Sequence, residues 1–426
     1  MAEQIPSWFG SDKEISGGSF VTRLGHRLLL MKLAIVATHP ILSQVPWYRE
    51  LAACEELNLK VYYALLPSPE QEGVDFDLDV TWNVPLLDGY SWEVLRNTAR
   101  SPSLSGFFGS RTPGVRACLA RDLPDAVIIN GWYRLPLLQT LWACNKLKIP
   151  IMVRGDSNWL SRRPWWKRAI HRSLLSRFDA FLAVGRSNYE FYQENGVPAE
   201  RIFMSPHFVD VERFRRQAEL LRPMRMQVRR EWGISDSELC VLFVGKLIPK
   251  KRVMDLLRAC KIARASGASV KPLLVGSGVM ENEVQEFARE MELPVILAGF
   301  LNQVEISRAY VAADCLVLPS DYGETWGLVV NEAMIHDLPV VVSDRVGCGP
   351  DLVQEGATGH VFPFGSEKAL ALILERLAAD PISRRRMGLR AGLHIQDYSP
   401  KRAAEGTLQA LRFVLGMVSM ATSKGA

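Results

Sequence analysis

A succession of short apolar runs, each closed by glycine or a small polar residue, constrains this chain more than any other feature. In the first half the runs are KLAIVAT (32–38), VYYALL (61–66), DAVIIN (125–130), PIMVR (150–154) and FDAFLAV (178–184). A second series follows, with CVLFVG (240–245), KPLLVG (271–276), VILAGF (295–300), DCLVLPS (314–320) and LPVVVS (338–343). Runs without polar alternation describe strands buried on both faces, and such strands belong to parallel sheets covered by helices. Two series in succession give an α/β chain of two doubly wound, Rossmann-like halves and exclude a single sandwich or bundle. The first-half strands run into Gly131-Trp132-Tyr133, Gly155-Asp156-Ser157 and Gly185-Arg186-Ser187. Open α/β sheets bind ligands at that carboxyl edge.

The 426 residues are enough for two cores. Residues 1–30 carry no helix or strand period and read as a disordered arm, or as sequence upstream of a start at Met31. The first half then occupies 31–210, a basic junction 211–238, and the second half 239–395, with a last helical segment at 396–426 long enough to cross back. After the first strand, a loop from His39 leads into a helix with Leu51, Ala52 and Leu57 on one face. The seven cysteines form no C-x-x-C pair and several sit in apolar runs, which suits buried thiols in a reducing cytoplasm. No apolar run approaches the roughly 20 residues that cross a bilayer. A net charge of +5 is too small to argue for nucleic acid, and no binding motif accompanies the basic residues, so no nucleic-acid partner is expected.

Two stretches carry charge patterns of their own. Asp75, Asp77 and Asp79 alternate, which suits a metal or the polar face of an edge strand. An EF-hand needs Gly and Glu where Val80 and Leu86 stand, so the edge strand is the reading taken. Residues 157–178 contain no acid but hold Arg162, Arg163, Lys167, Arg168, Arg172 and Arg177. From Pro164, a good first helical residue, Trp166, Ile170 and Leu174 share one face. That face packs on the core, leaving a solvated basic side, or residues 161–177 rest on the anionic inner face of a membrane with Trp165 and Trp166 at the interface, or the same charge meets an acidic or pyrophosphate-bearing acceptor.

The chemistry concentrates between Pro319 and Pro339, PSDYGETWGLVVNEAMIHDLP. A strand breaks at Pro319, and helix periodicity takes over near Trp326. Glu324 precedes the helix and Glu332 lies within it, with seven residues between them. Free amides of Gly327 and Leu328 at a helix start attract phosphate, and carboxylates accept hydrogen bonds from sugar hydroxyls. Upstream, GKLIPKKR places Lys246 and Lys251 just after Gly245, where a glycine lets an anion approach the backbone and two lysines clamp a diphosphate as point charges. It is not the phosphate loop of nucleotide hydrolases, whose glycine and lysine spacing differs.

Gly245-Lys246-Leu247 with Lys251, Gly276-Ser277-Gly278, Gly299-Phe300, Pro319-Ser320, Glu324 and Glu332, then Pro339-Val340-Val341, fall in one order at strand ends. That order resembles glycosyltransferase family 4, of GT-B fold, most closely over residues 241–364, less over 31–210, and not before Met31. The resemblance implies two Rossmann-like domains facing each other across a cleft, an acceptor domain first and a donor domain second. It implies hexose transfer from a nucleoside-diphosphate sugar to a glycan, lipid-linked or small acceptor, with retention of configuration and without a cofactor or essential metal. Glu324 would sit by the transferred sugar, Glu332 on the ribose hydroxyls, and the amides of Trp326, Gly327 and Leu328 on sugar and phosphate. Lys246 and Lys251 would hold the diphosphate, and Gly299, Phe300 and Leu301 would lie against the base.

Both lobes depart from the family pattern. Lys246 stands where Arg is usual, which keeps the charge but loses the bidentate fork, and Arg252 replaces a usual Gly. The acceptor-side His falls on Asp156, and the glycine-rich first loop is here HPILSQ, making His39 a second polar residue on the acceptor side. An isomerase acting on the sugar nucleotide, or a silent nucleotide-sugar binder, are the alternatives on the same fold.

Overall fold

The computed structural model describes residues 30–67, 85–104, 106–160 and 164–416. Asp75, Asp77 and Asp79, residues 1–29, and Arg162 and Arg163 lie outside the described residues. The first sheet holds β1 (Met31–Ala37), β2 (Leu57–Tyr63), β3 (Ser91–Val94), β4 (Ala126–Asn130), β5 (Ile151–Gly155), β6 (Ala180–Ala183) and β7 (Ile202–Met204). Its order is β3-β2-β1-β4-β5-β6-β7, and each pairing is parallel. The second holds β8 (Leu239–Val244), β9 (Val270–Val275), β10 (Ile296–Gly299), β11 (Cys315–Leu318), β12 (Val340–Ser343) and β13 (Gly359–Phe362). Its order is β10-β9-β8-β11-β12-β13, again parallel throughout. These are two Rossmann-like sheets, as the double series of apolar runs requires.

Each sheet separates two cores. In the second lobe Leu242, Leu316, Leu318, Val340 and Val342 face one side, and Val241, Phe243, Val317 and Val341 the other. The period of two along strands buried on both faces sets this division, and burial of both faces fixes the register. Strand order reverses between β1 and β4 and again between β8 and β11, and each reversal opens a crevice at the carboxyl edge.

Two local expectations are corrected. Leu57 does not extend the first helix: Val45–Ala52 ends after two turns, and Leu57 opens β2, paired with Met31. The alternation in LNLKVYY, buried at Leu57, Leu59 and Val61, explains why the strand starts early. The helix Trp165–Leu175 does not pack its Trp166 face on the core, because Leu175 alone is buried and residues 164–170 are all exposed. Only the last turn reaches the sheet, so the upper face is left to form the wall of a cavity.

The closing helix Pro400–Val414 returns to the first lobe. Ser399 caps it by accepting from the Arg402 amide at 3.3 Å, with Pro in its first turn. Ala403, Ala404, Ala410 and Leu411 enter the core beneath β1 and β2. Gly406 allows the close approach, since a Cβ there would stand 1.8 Å from the Met204 carbonyl oxygen. The chain crosses between lobes twice: Phe208 belongs to the first core and Val209 to the second, and Tyr398 to the second and Ala403 to the first.

Candidate active site

At the reversal β8 and β11 run side by side, Cys315 paired with Val241 and Leu316 with Leu242, and just beyond their ends Lys251, Ser320 and Glu324 meet. Lys246 follows Gly245 and is half-buried; Lys251 closes the short turn Pro249–Lys251. The Lys251 stem folds back over Gly245, where a Cβ would lie 3.6 Å from Lys251 Cε. Lys251 Nζ forms an ion pair with Glu324 Oε2, and Ser320 Oγ donates to the same oxygen at 3.1 Å. Three backbone bonds hold the Glu324 loop: Asp321 N to Lys250 O, Glu324 N to Asp321 O, and Gly347 N to Glu324 O, each 3.0 Å. Gly327 at φ +102 turns the chain into the helix Leu328–Ile335, leaving first-turn amides without intrahelical partners.

Glycines at the strand ends are required by contact. Gly276 has φ +131, and a Cβ on it would stand 2.0 Å from the Gly245 carbonyl oxygen. Its amide donates to Gly299 O at 2.8 Å, which links the ends of β8, β9 and β10. Half-buried Leu301 beyond β10 packs on the second-lobe core, with half-buried Phe300 before it. Gly276→Ala is expected to cost about 1–3 kcal/mol, the scale of overpacking a filled site. The readout is the melting temperature, with a fall of about 2 °C or more expected. A variant melting with the wild type would show that the Gly245 loop yields without strain.

Glu332 lies one turn into the helix and is buried. Tyr310 Oη, from the helix Ile306–Ala312, donates to its Oε2 at 2.6 Å. Burial pushes the Glu332 carboxyl up to about 7, against the opposing pull of the Tyr310 bond and the Arg213 charge. His336 bonds the Glu332 carbonyl oxygen at 2.7 Å, and burial takes its imidazole down to about 4.

The first lobe closes over this site. Thr325 Oγ1 donates to Asp156 Oδ2 at 2.7 Å, and Asn158 Nδ2 donates to Thr325 O at 3.1 Å. Farther along the edge, the Arg186 amide donates to both Asp351 carboxylate oxygens at 2.9 and 3.0 Å, at the start of the helix Arg186–Glu194. Burial pushes the Asp351 carboxyl up to about 7, countered by that amide and by Tyr398. Gly185 makes room for Trp326, whose ring a Cβ would meet at 2.3 Å, and Trp326 Nε1 donates to Asn331 Oδ1 at 2.8 Å. Beneath Asp156, Arg154 is buried between the Trp47 and Phe208 rings, and burial lowers its guanidinium to about 10.

Asp156 is therefore brought within one residue of Glu324. His39 sits at the end of β1 with Nδ1 2.9 Å from Thr38 Oγ1, and it does not line the cavity beside Asp156. Sequence reasoning missed Thr325, Asn158, Tyr310, Asp351 and the Arg186 amide. Thr325 offered a signal, lying between Glu324 and Trp326; the others are ordinary polar residues until the lobes meet.

Residues 224–394 match the family Glycosyl transferases group 1, and residues 79–213 match Glycosyltransferase Family 4. The D-inositol 3-phosphate glycosyltransferase of Nocardia farcinica is 29% identical over 298 residues, 66% of this chain and 63% of that protein. The alpha-D-kanosaminyltransferase of Streptomyces kanamyceticus is 27% identical over 285 residues, 62% of this chain and 68% of that one. The chain thus spans less than two-thirds of the length of the first of these relatives. The Anabaena HepE structure with UDP and glucose superposes with a TM-score of 0.63 at 16% identity, over 90% of this chain and 100% of that one, which shows the shared fold. Matched in both lobes and built on two facing Rossmann-like sheets, the chain belongs to glycosyltransferase family 4, of GT-B fold.

Proposed function

We propose that this protein transfers a hexose from a nucleoside-diphosphate sugar to a hydroxyl-bearing acceptor, with retention of anomeric configuration. The observation that carries the reading is the Lys251–Glu324 pair at the crevice of the second sheet, one residue from the Thr325–Asp156 contact between lobes. In the reaction the bond from the anomeric carbon to the diphosphate breaks, and both electrons leave on the diphosphate oxygen. The acceptor hydroxyl oxygen bonds to that carbon, and its proton passes to the departing diphosphate. Lys246, Lys251 and the amides of Trp326, Gly327 and Leu328 meet the charge that develops, which lowers the barrier more than it stabilises the bound donor. Glu332 takes the ribose hydroxyls, Gly299 to Leu301 the base, and Asp156 orients the acceptor. This route draws on no metal, so activity is expected to persist in excess chelator. Contact of the helix Trp165–Leu175 with anionic lipid belongs to the same reading, supported by its exposed tryptophans and unbroken basic charge.

A melting screen against nucleoside diphosphates and their sugars tests the donor. UDP-sugars come first, since the Anabaena structure holds UDP and glucose. A ligand at 100 times its dissociation constant stabilises the folded state by about 2.7 kcal/mol, so the expected result is a clear rise with one nucleotide class. No rise with any of them would overturn the reading. Product analysis without acceptor separates the chemistries: slow release of nucleoside diphosphate fits a transferase, and a rearranged sugar nucleotide would make it an isomerase.

A further inference from the structure

Beside Asp156 the first lobe holds a cavity of about 600 Å³, lined by Trp132, Tyr133, Trp166, Lys167 and Ile170 among others. Its inner end is Asp156, which touches Thr325, the neighbour of Glu324, so the cavity opens onto the transfer site. Its floor is Trp132, stacked on Phe191 at 6.4 Å between ring centres. Its outer wall is the helix Trp165–Leu175, where Trp165, Trp166 and Ile170 are 81%, 48% and 57% exposed.

The electrostatics of the wall are one-sided. Residues 157–178 contain no acid, and among the described residues no carboxylate pairs with Lys167, whose ammonium lies 5.4 Å from the Trp166 ring centre. Arg168 stacks on Trp159 at 4.8 Å, which keeps a second guanidinium on the same helix. A neutral glycan would call for paired hydrogen-bonding groups along such a wall. A cation set among exposed indoles and an aliphatic side chain suits a ligand that is anionic at one point and apolar beyond it.

We propose that this cavity is the acceptor site and that the acceptor is an anionic amphiphile, a phosphate-bearing head on an apolar chain presented from a membrane surface. The proposal rests on the transferase reading. The acceptor hydroxyl lies at Asp156, the phosphate meets Lys167, and the chain leaves over Trp166, Ile170 and Trp165 towards lipid. This places the site after a reaction that attaches a sugar or polyol to a lipid phosphate.

Calorimetric titration of the full chain with dodecyl phosphate, dodecyl maltoside and inorganic phosphate tests it. Dodecyl phosphate is expected to bind about tenfold or more tighter than either other probe, and Lys167→Glu to weaken it by about tenfold while leaving dodecyl maltoside unchanged. Ile170→Asp should weaken dodecyl phosphate and leave inorganic phosphate unchanged. Both side chains are exposed, so unchanged melting temperatures check that the variants fold; Lys167→Gln replaces Lys167→Glu if that one does not. Equal affinity for the neutral amphiphile, or indifference to Lys167→Glu, would overturn the proposal. Inorganic phosphate binding as tightly as dodecyl phosphate would overturn it too, in favour of a water-soluble phosphorylated acceptor. These titrations contain no donor, so a failure of the nucleotide-sugar reading would show in the nucleotide melts and not here.

Discussion

Replacing Lys251 with alanine lowers kcat/KM by about 10²-fold or more, the scale on which one charge-stabilising donor acts at a developing anion. Two contacts fix the lysine in place, its stem lying over Gly245 and its ammonium pairing with Glu324. In the proposed reaction an arriving diphosphate would meet a cation already positioned, so little reorganisation would remain when the glycosidic bond breaks. Alanine removes that cation and also leaves the Glu324 carboxylate with Ser320 as its remaining side-chain partner, facing the anion it should help to accommodate. The loss is expected in kcat more than in KM, because the charge is greatest after bond breaking begins. Lys251→Met keeps the stem and should fall as far as alanine. Steady-state rates near wild type for either variant would remove Lys251 from the mechanism.

Glu332→Gln flattens the dependence of stability on pH between about 5 and 8, because the buried carboxyl holds its proton up to about 7 in the folded protein against an ordinary value of 4.5. In this window the folded state binds more protons than the unfolded one. The contribution is therefore fully present below pH 4.5 and is lost as pH rises through about 7. Each tenfold in proton affinity is about 1.4 kcal/mol, so the ionised carboxyl costs on the order of 3 kcal/mol at pH 8. Asp351 titrates in the same range, so the difference between wild type and Glu332→Gln isolates Glu332. Denaturant melts at pH 5 and 8 supply the measurement. On the proposal that Glu332 takes the ribose hydroxyls, KM for the nucleotide-sugar should rise as pH falls below about 7, and the glutamine variant should lose that slope. Parallel pH profiles for the two proteins would show that Glu332 keeps no proton at pH 6.

What the sequence discloses follows from what is local. Strands buried on both faces advertise themselves as apolar runs, so both sheets and the glycines at their ends were legible. The spacing of Glu324 and Glu332 needed only the strand, the turn and the helix between them. The substitution at Arg252 was visible as a departure from the family's glycine, and its meaning was not. Arg252 has φ +55, the left-handed region where glycine is at ease, and its side chain bonds Asp255 at 2.8 Å. Tyr310 was hidden because it reaches Glu332 from a different helix, 22 residues away. Thr325 with Asp156 and Asp351 with the Arg186 amide were hidden because they depend on how two rigid bodies face each other, which no period in either body records. The helix Trp165–Leu175 misled for a related reason: an apolar stripe beside a sheet is the mark of a core face, and it is equally the mark of a wall that other molecules cover.

The double passage of the backbone, at Phe208–Val209 and again between Tyr398 and Ala403, has a mechanical meaning. The helix Pro400–Val414 is joined to the second lobe by its backbone and lies packed in the core of the first, so a cut at Phe208–Val209 would leave the lobes held together through that helix.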